Sequence, residues 1–197
     1  MEPSFRTEDT AESRNILEGQ IRECYGRTVY SHKTHEKCAD ILHSRFSWIK
    51  TSQIILSALT TASFITTFLE KSHLGGLVGV TLSSILLVLN AYIKNYDLGE
   101  LAQKHKQTAN GIWLIREQYL SLLTDISMGQ RPLENIQLER DNLMKDLHSI
   151  YASAPSTTSA AYKKAQKGLK MNEDMTFSDK EIDAFLPKEL RRIKESQ

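Results

Sequence analysis

Two long apolar runs, at residues 51–69 and 74–93, constrain this chain more than any other feature of its sequence. Neither run contains Asp, Glu, Lys or Arg, and only four residues separate them. A helix needs about 20 apolar residues to cross the hydrocarbon core of a bilayer, and each run is about that long. A backbone in lipid must satisfy its own N–H and C=O groups, which favours helices. The two runs therefore predict a transmembrane helical hairpin.

The alternative is a hairpin buried inside a soluble protein. A soluble core helix is usually amphipathic, whereas the second run is apolar on every side. The first run is less apolar, because Ser, Thr and Gln residues interrupt it. It begins at residue 51 and follows no cleavage-like pattern, so we do not expect a signal peptide. The pattern favours membrane insertion over burial in a soluble core.

The positions of the cationic residues predict the orientation of the hairpin. Lysine and arginine near the ends of spans stay on the cytoplasmic side of the membrane. The loop at residues 70–73 contains only Lys71, next to Glu70, whereas both outer flanks are richer in cations: Lys33, Lys37, Arg45, Lys50, Lys94, Lys104 and Lys106. Both termini are therefore expected in the cytoplasm, with a very short external loop.

Net charge, cysteine content and residue periodicity narrow the class of protein. A formal net charge of +1 gives no support for direct nucleic-acid binding. The two cysteines, Cys24 and Cys38, both lie on the expected cytoplasmic side, where they should remain free thiols. No segment shows the alternation of a strand, so the predicted class is an all-α membrane protein whose two-span hairpin extends into a cytoplasmic helical bundle.

Helical periodicity and breakers divide the rest of the chain. We expect an N-terminal helix at residues 1–29, starting near a capping box at 9–12 and stopping near Gly26. A second helix at 30–50 should run straight into the first span. After the second span, the helix should continue unbroken through 94–128 and pack antiparallel on the first. Its apolar seam comprises Leu98, Leu101, Ala102, His105, Ala109, Ile112, Tyr119, Leu122, Leu123 and Ile126.

The C-terminal third is expected to form shorter helices. Gly129 and Pro132 should end the long helix, and residues 129–154 should form another. The pattern of residues 155–197 predicts a linker, then a basic helix, an acidic patch and a helix with a capping box at 177–181. This segment either docks a partner or folds back on the bundle. Its lysines at 163–170 either contact anionic headgroups or face solvent.

Small and polar residues recur every seven positions within the membrane helices, which places them on one face of each helix. The first helix has Gln53, Thr60 and Thr67 with Ser57 adjacent, and the second has Gly76, Ser83, Asn90 and Asp97. Gly75 and Gly79 add a small-xxx-small pair that favours close helix packing. The stripes predict either a tight helix–helix seam or, in a homo-oligomer, the lining of a water-filled pore.

Few residues are candidates for catalysis or metal binding. His32, His35 and Cys38 follow a spacing of three with Glu36 beside them, but a local fourth zinc ligand is missing. A packed helix surface is the preferred interpretation over a metal site. Phosphate-binding loops, nucleophile elbows and zinc-protease motifs do not occur in the sequence. We therefore expect neither an enzyme nor a cofactor.

Several segments together resemble the SLATT family of two-transmembrane proteins, especially its reverse-transcriptase-associated subgroup. The similarity covers residues 18–192 and is carried by VYSHKTHEK at 29–37, the two spans, AYKKAQK at 161–167, Glu173, TFSDKEID at 176–183 and LPKEL at 186–190. The resemblance implies an effector of bacterial antiviral systems that opens or disrupts the inner membrane and kills the infected cell. It implies an upstream trigger, such as a reverse transcriptase or a nucleotide second messenger, and it assigns no ligand residues.

Two function hypotheses of different classes therefore stand, and a third, a membrane-bound enzyme, is disfavoured because the sequence has no catalytic constellation. The first is a homo-oligomeric, pore-forming effector in the bacterial inner membrane, held inactive until a partner or signal acts. The second is a membrane-anchored adaptor whose cytoplasmic helices recruit a defence partner while the hairpin only tethers it. Under the second hypothesis, Gln53, Thr60, Ser83 and Asn90 are replaceable by Ala or Leu without loss of function.

Overall fold

A computed structural model describes residues 4–70, 73–129, 131–171 and 177–187. These residues form helices without any strand, which confirms the predicted all-α class: α1 (Ser4–Glu70), α2 (His73–Asn95), α3 (Leu98–Met128), α4 (Leu133–Ser153), α5 (Ser159–Met171) and α6 (Asp179–Phe185). Lys71 in the expected external loop, the acidic patch around Glu173 and the end of the LPKEL motif lie outside the described residues.

Helix α1 contains 67 residues, which corresponds to about 100 Å of continuous helix. The predicted start at residue 9 and the predicted break near Gly26 are both wrong, because α1 begins at Ser4 and runs through the glycine. An isolated glycine inside a helix costs only about 1 kcal/mol relative to alanine. Ile21 and Thr28 on either side of Gly26 are fully buried, so tertiary packing holds the helix together there.

The hairpin leaves its apolar surface uncovered by protein. Helices α1 and α2 pack side by side, yet none of the most apolar window of α1 and only 6% of that of α2 is buried. Helix α2 has 23 residues and is about 34 Å long, which is enough to cross a hydrocarbon core. A core helix of a soluble protein would be covered by its own chain. The uncovered surface therefore disfavours the soluble alternative and supports two membrane-spanning helices.

The second long helix is interrupted where α2 meets α3, so the prediction of an unbroken helix through residue 128 is wrong. Helix α2 ends at Asn95, and Asp97 caps the N-terminus of α3 by accepting a 2.8 Å hydrogen bond from the backbone N–H of Glu100. Aspartate is among the best N-cap residues because its carboxylate satisfies a backbone donor that has no partner within the helix. The break lies just beyond the end of the second apolar run.

Outside the hairpin, α1, α3 and α4 pack around a common core, which we call the bundle. Its centre comprises Leu17, Ile21, Ile115, Tyr119, Leu122, Ile126, Ile136 and Leu143. The predicted seam of α3 is largely buried, although Leu101 is exposed. Gly129 ends α3 in a left-handed conformation at φ 67°, and Pro132 precedes α4, as predicted.

Helix α5 lies along α1 on the outside of the bundle. Ala161 and Ala165 are fully buried, and Gly168 joins them one turn later. These small side chains let the two backbones approach closely, and the rings of Tyr30 and Tyr162 lie 6.0 Å apart beside them. Helix α6 begins with the predicted capping box between Ser178 and Glu181. The C-terminal segment was expected either to dock a partner or to fold back on the bundle. Helix α5 folds back and packs on α1.

Candidate functional site

The first candidate site lies in the membrane hairpin, where the two polar stripes meet. The side-chain amide of Gln53 donates a 2.6 Å hydrogen bond to the Oδ1 atom of Asn90. The residues lie 37 positions apart in sequence and belong to different spans. A hydrogen bond between amides in a membrane helix pair contributes about 1 kcal/mol. This bond links the two helices near the end of the hairpin that adjoins the bundle.

The glycines lie at the opposite end of the hairpin, where the two helices are in close contact. A Cβ atom on Gly75 would lie 2.5 Å from the Oγ1 atom of Thr67 and 3.0 Å from the carbonyl oxygen of Ser63. A Cβ atom on Gly79 would lie 3.2 Å from the ring of Phe64. The same addition at Gly76 would meet Thr67 only at an ordinary contact distance of 3.6 Å. Gly75 and Gly79 therefore lie at close contacts between the two helices, and Gly75 has the least space of the three glycines.

The hydroxyl groups of the first span are mostly satisfied within their own helix. Thr60 donates to the carbonyl oxygen of Leu56 at 2.7 Å, and Thr67 donates to that of Ser63 at 2.8 Å. Thr61 and Ser63 make the same kind of bond one turn back. Such bonds satisfy hydroxyl donors in an apolar environment without a second helix. The many hydroxyls that dilute this span are therefore compatible with the membrane.

A groove runs along the hairpin beside the Gln53–Asn90 bond. We call it the hairpin groove; its volume is about 630 Å³, and its lining comprises Lys50, Gln53, Ile54, Ser57, Ala58, Thr61, Leu86 and Asn90. Ser57 and Asn90 are exposed in it, whereas Gln53 is half-buried. Polar groups on an otherwise apolar membrane surface mark a place where water or another chain covers the helix. The groove therefore gathers part of both predicted stripes on one polar surface of the hairpin.

The structure separates the residues of the predicted stripes. Gln53, Ser57 and Asn90 share the hairpin groove, and Thr67 and Gly76 meet at the glycine-rich contact. Thr60 and Ser83 are half-buried. Asp97 lies outside the membrane helix and caps α3 instead. The heptad spacing thus joins residues with four different surroundings.

The second candidate site is a pair of histidines buried between α1 and α3. The Nδ1 atoms of His35 and His105 lie 3.0 Å apart, although 70 residues separate them in sequence. Burial, together with the charges of His105 and His32, lowers the pKa of His35 to about 4. Burial also lowers the pKa of His105. At neutral pH both rings are uncharged, and one must donate its Nδ1–H to the other.

A charged cluster borders the histidine pair. Glu36 accepts a 3.3 Å hydrogen bond from the ammonium group of Lys106, and Lys33 lies 3.6 Å from the same carboxylate. Burial lowers the pKa of His32 and outweighs the attraction of Glu36, whose carboxylate lies 3.9 Å away. Burial would raise the pKa of Glu36, but His32 and Lys106 outweigh it and keep that pKa below its usual range. The cluster ties α1 to α3.

The histidines do not converge with Cys38 on a metal site. His35 faces His105, and His32 lies beside Glu36. Within the described ranges, no three His, Cys, Asp or Glu side chains are placed to hold a metal ion. The pairing of His35 with His105 was missed by sequence reasoning, which put His105 in the seam and His35 in a local His/Cys pattern. Only the register of α1 against α3 reveals it.

These features define a class: an all-helical membrane protein with two helices of spanning length that continue into a helical bundle. The chain belongs to the SMODS and SLOG-associating 2TM effector domain family 4 (SLATT_4), whose model matches residues 17–181. This match confirms the resemblance to the SLATT family and covers both spans, the bundle and α5. No curated protein and no solved structure matches the chain.

Proposed function

We propose that this protein is a membrane effector that assembles into a homo-oligomer and opens a pore in the bacterial inner membrane during antiviral defence. The family is one of two-transmembrane effectors. The observation that carries the proposal is the hairpin groove, where Ser57 and Asn90 expose polar groups beside Lys50 and Thr61 on a hairpin that also exposes many large apolar side chains. Two helices are too few to enclose a channel. Several copies with their grooves facing inward would enclose one.

The proposal includes an orientation and a trigger. Both termini, and with them the bundle, lie in the cytoplasm, following the distribution of lysine and arginine. An upstream defence component, such as a reverse transcriptase or an enzyme that makes a nucleotide second messenger, activates the effector through the bundle. The protein itself performs no catalysis and binds no nucleic acid. Its output is loss of the membrane potential and death of the infected cell.

The membrane potential of phage-challenged cells tests this proposal. Cells with the wild-type protein should depolarise, and Asn90→Leu should abolish depolarisation by removing the exposed amide from the groove. Val88→Leu is the matched control, because Val88 is an exposed apolar residue two positions away. Normal potential in challenged wild-type cells, or equal depolarisation in both variants at equal membrane abundance, would contradict the pore.

The adaptor hypothesis is the second candidate, and one observation favours it. Trp113 and Leu114 on α3 are about half exposed, although they lie in the bundle and outside both spans. Exposed aromatic residues of this kind are typical of protein interfaces. An adaptor would lose activity on Trp113→Ala and keep it on Asn90→Leu. A pore-forming effector would lose activity on Asn90→Leu.

A further inference from the structure

A basic groove lies between α1 and α5, on the side of the bundle nearest the membrane. Its volume is about 670 Å³. Four cationic side chains line it: Lys37, Arg45, Lys164 and Lys167. The lining also includes the carboxylate of Asp40 and the hydroxyl of Ser44. Four positive charges and one negative charge give the groove a formal charge of +3. We call it the basic groove, and it is separate from the hairpin groove.

The charges in the basic groove are only partly compensated. Lys37 lies 3.3 Å from Asp40, the only carboxylate in the lining. In the part of the chain that the structure describes, Arg45, Lys164 and Lys167 form no ion pair. Like charges held close together repel one another, and an anion between them relieves that repulsion.

The backbone packing fixes this arrangement. Helix α5 contacts α1 through Ala161, Ala165 and Gly168, so Lys164 and Lys167 are held beside the α1 side chains. The serine hydroxyl of the lining adds a neutral hydrogen-bond donor. Arginine and lysine with a hydroxyl are the groups that proteins commonly use to bind phosphate oxygens. The groove is therefore built before any ligand arrives.

The position of the groove along α1 makes two sources of the anion compatible with it. Arg45 lies six residues before the apolar run at residue 51, or about 9 Å from its start, and Lys37 lies about 21 Å from it. The headgroup layer extends about 5–8 Å beyond the hydrocarbon core. The Arg45 side chain is long enough to bridge the remaining distance to that layer, whereas Lys37 at the opposite end of the groove is too far from it. A phosphate group could enter from a lipid headgroup or from solution.

We propose that the basic groove binds a phosphate group between α1 and α5, through Arg45, Lys164 and Lys167. The site would link the outer helix α5 to α1, the helix that continues into the membrane. The proposal goes beyond the pore function and does not depend on it, since binding is measured on protein that conducts nothing. The chemistry is that of a phosphate ester or a condensed phosphate, and the source is decided by the experiment.

Calorimetric titration of the full-length protein in an uncharged detergent tests the proposal. The probes are inorganic pyrophosphate and short-chain phosphatidylglycerol, with short-chain phosphatidylcholine as the zwitterionic lipid whose choline group cancels the phosphate charge. Lys164→Gln with Lys167→Gln should weaken anion binding by at least about tenfold. Lys163→Gln with Lys170→Gln is the matched control, because it removes the same charge from exposed positions of α5 that do not line the groove. It should weaken binding by less than about threefold.

A substitution on α1 tests whether the loss of anion binding arises only from a local change in the structure of α5. Arg45→Gln should reproduce the loss, because Arg45 lies on α1 and faces the same groove. Saturable binding of phosphatidylglycerol alone would assign the site to a headgroup, and saturable binding of pyrophosphate alone would assign it to a soluble phosphate. Both results support the proposal. Absence of saturable binding of either probe, or equal weakening by the two lysine pairs, would overturn it.

Discussion

Gly75 is the residue on which the contact between the two spans depends most directly. An added Cβ atom would lie within 3.0 Å of both the Thr67 hydroxyl and the Ser63 carbonyl. The carbonyl belongs to a helix backbone and cannot rotate away as a side chain can. Its neighbour Gly76 has ordinary contact distances around the same position. Two adjacent glycines thus have different structural roles, which a substitution can separate.

We expect Gly75→Ala to lower the unfolding free energy of the hairpin by about 1–3 kcal/mol, the usual cost of overpacking. Gly76→Ala should be neutral or slightly stabilising, because alanine is the better helix former and meets no close contact. Unfolding of the purified protein in mixed micelles by a denaturing detergent measures both. Equal stability of the two variants would show that the contact at Gly75 is not close.

The buried histidine pair makes the bundle sensitive to acid. His32, His35 and His105 all have a pKa below the usual 6.5 in the folded protein. When the pH falls below 6.5, the unfolded chain binds protons that the folded chain excludes, so unfolding becomes more favourable. The contribution of these uncharged histidines to the free energy of unfolding is fully present above pH 6.5. It is lost as the pH falls toward 4, the approximate pKa of His35.

We expect the free energy of unfolding to decrease between pH 6.5 and pH 4, by at most about 1.4 kcal/mol per pH unit for each histidine. His105→Leu should reduce this slope, because it removes one of the buried titrating groups. His43→Gln is the control, since His43 is exposed. Thermal unfolding followed by circular dichroism at several pH values measures the slope. An unchanged slope in His105→Leu would contradict a titrating pair.

At the scale of elements, one side chain caps the helix that begins after the break between α2 and α3. Asp97 caps α3 at the level where the hairpin meets the bundle. We expect Asp97→Ala to destabilise the bundle by about 1 kcal/mol, whereas Asp97→Asn should retain most of the stability because asparagine caps equally well. Chemical unfolding of the two variants measures the difference. Similar losses in both would indicate that the charge of Asp97 matters more than its capping bond.

The elements that the sequence predicts well are those with a strong local signal. Apolar length predicted both spans, and helical periodicity predicted the buried face of α3 around Ile112 and Tyr119. Two of the errors have a visible physical cause. Gly26 was interpreted as a breaker although the buried residues around it hold the helix, and Asp97 was placed in a stripe although its carboxylate favours a cap.

The candidate sites were only partly predictable, because they depend on register between distant segments. The stripes contained Gln53 and Asn90, but their hydrogen bond requires a particular alignment of α1 and α2. The pairing of His35 with His105 requires the alignment of α1 and α3. The basic groove requires α5 to lie on α1, and the pattern of α5 was equally compatible with docking to a partner.

At the scale of the whole molecule, α1 connects every site. It contributes Gln53 to the hairpin groove, His35 to the buried pair, and Arg45 to the basic groove. The helix has no break from Ser4 to Glu70. A rotation or shift of α1 within the bundle is therefore expected to move the first span. This continuity offers a physical route from a signal at the bundle to a change in the membrane.

The central claim is that the hairpin groove lines an ion pathway in the oligomer, and thiol accessibility in planar bilayers tests it most directly. In a background of Cys24→Ser and Cys38→Ala, Ser57→Cys places a thiol in the groove and Val88→Cys places one on the exposed apolar surface. A charged, water-soluble thiol reagent should reduce the current through Ser57→Cys and leave Val88→Cys unchanged. Absence of current, or equal inhibition of both variants, would contradict the claim.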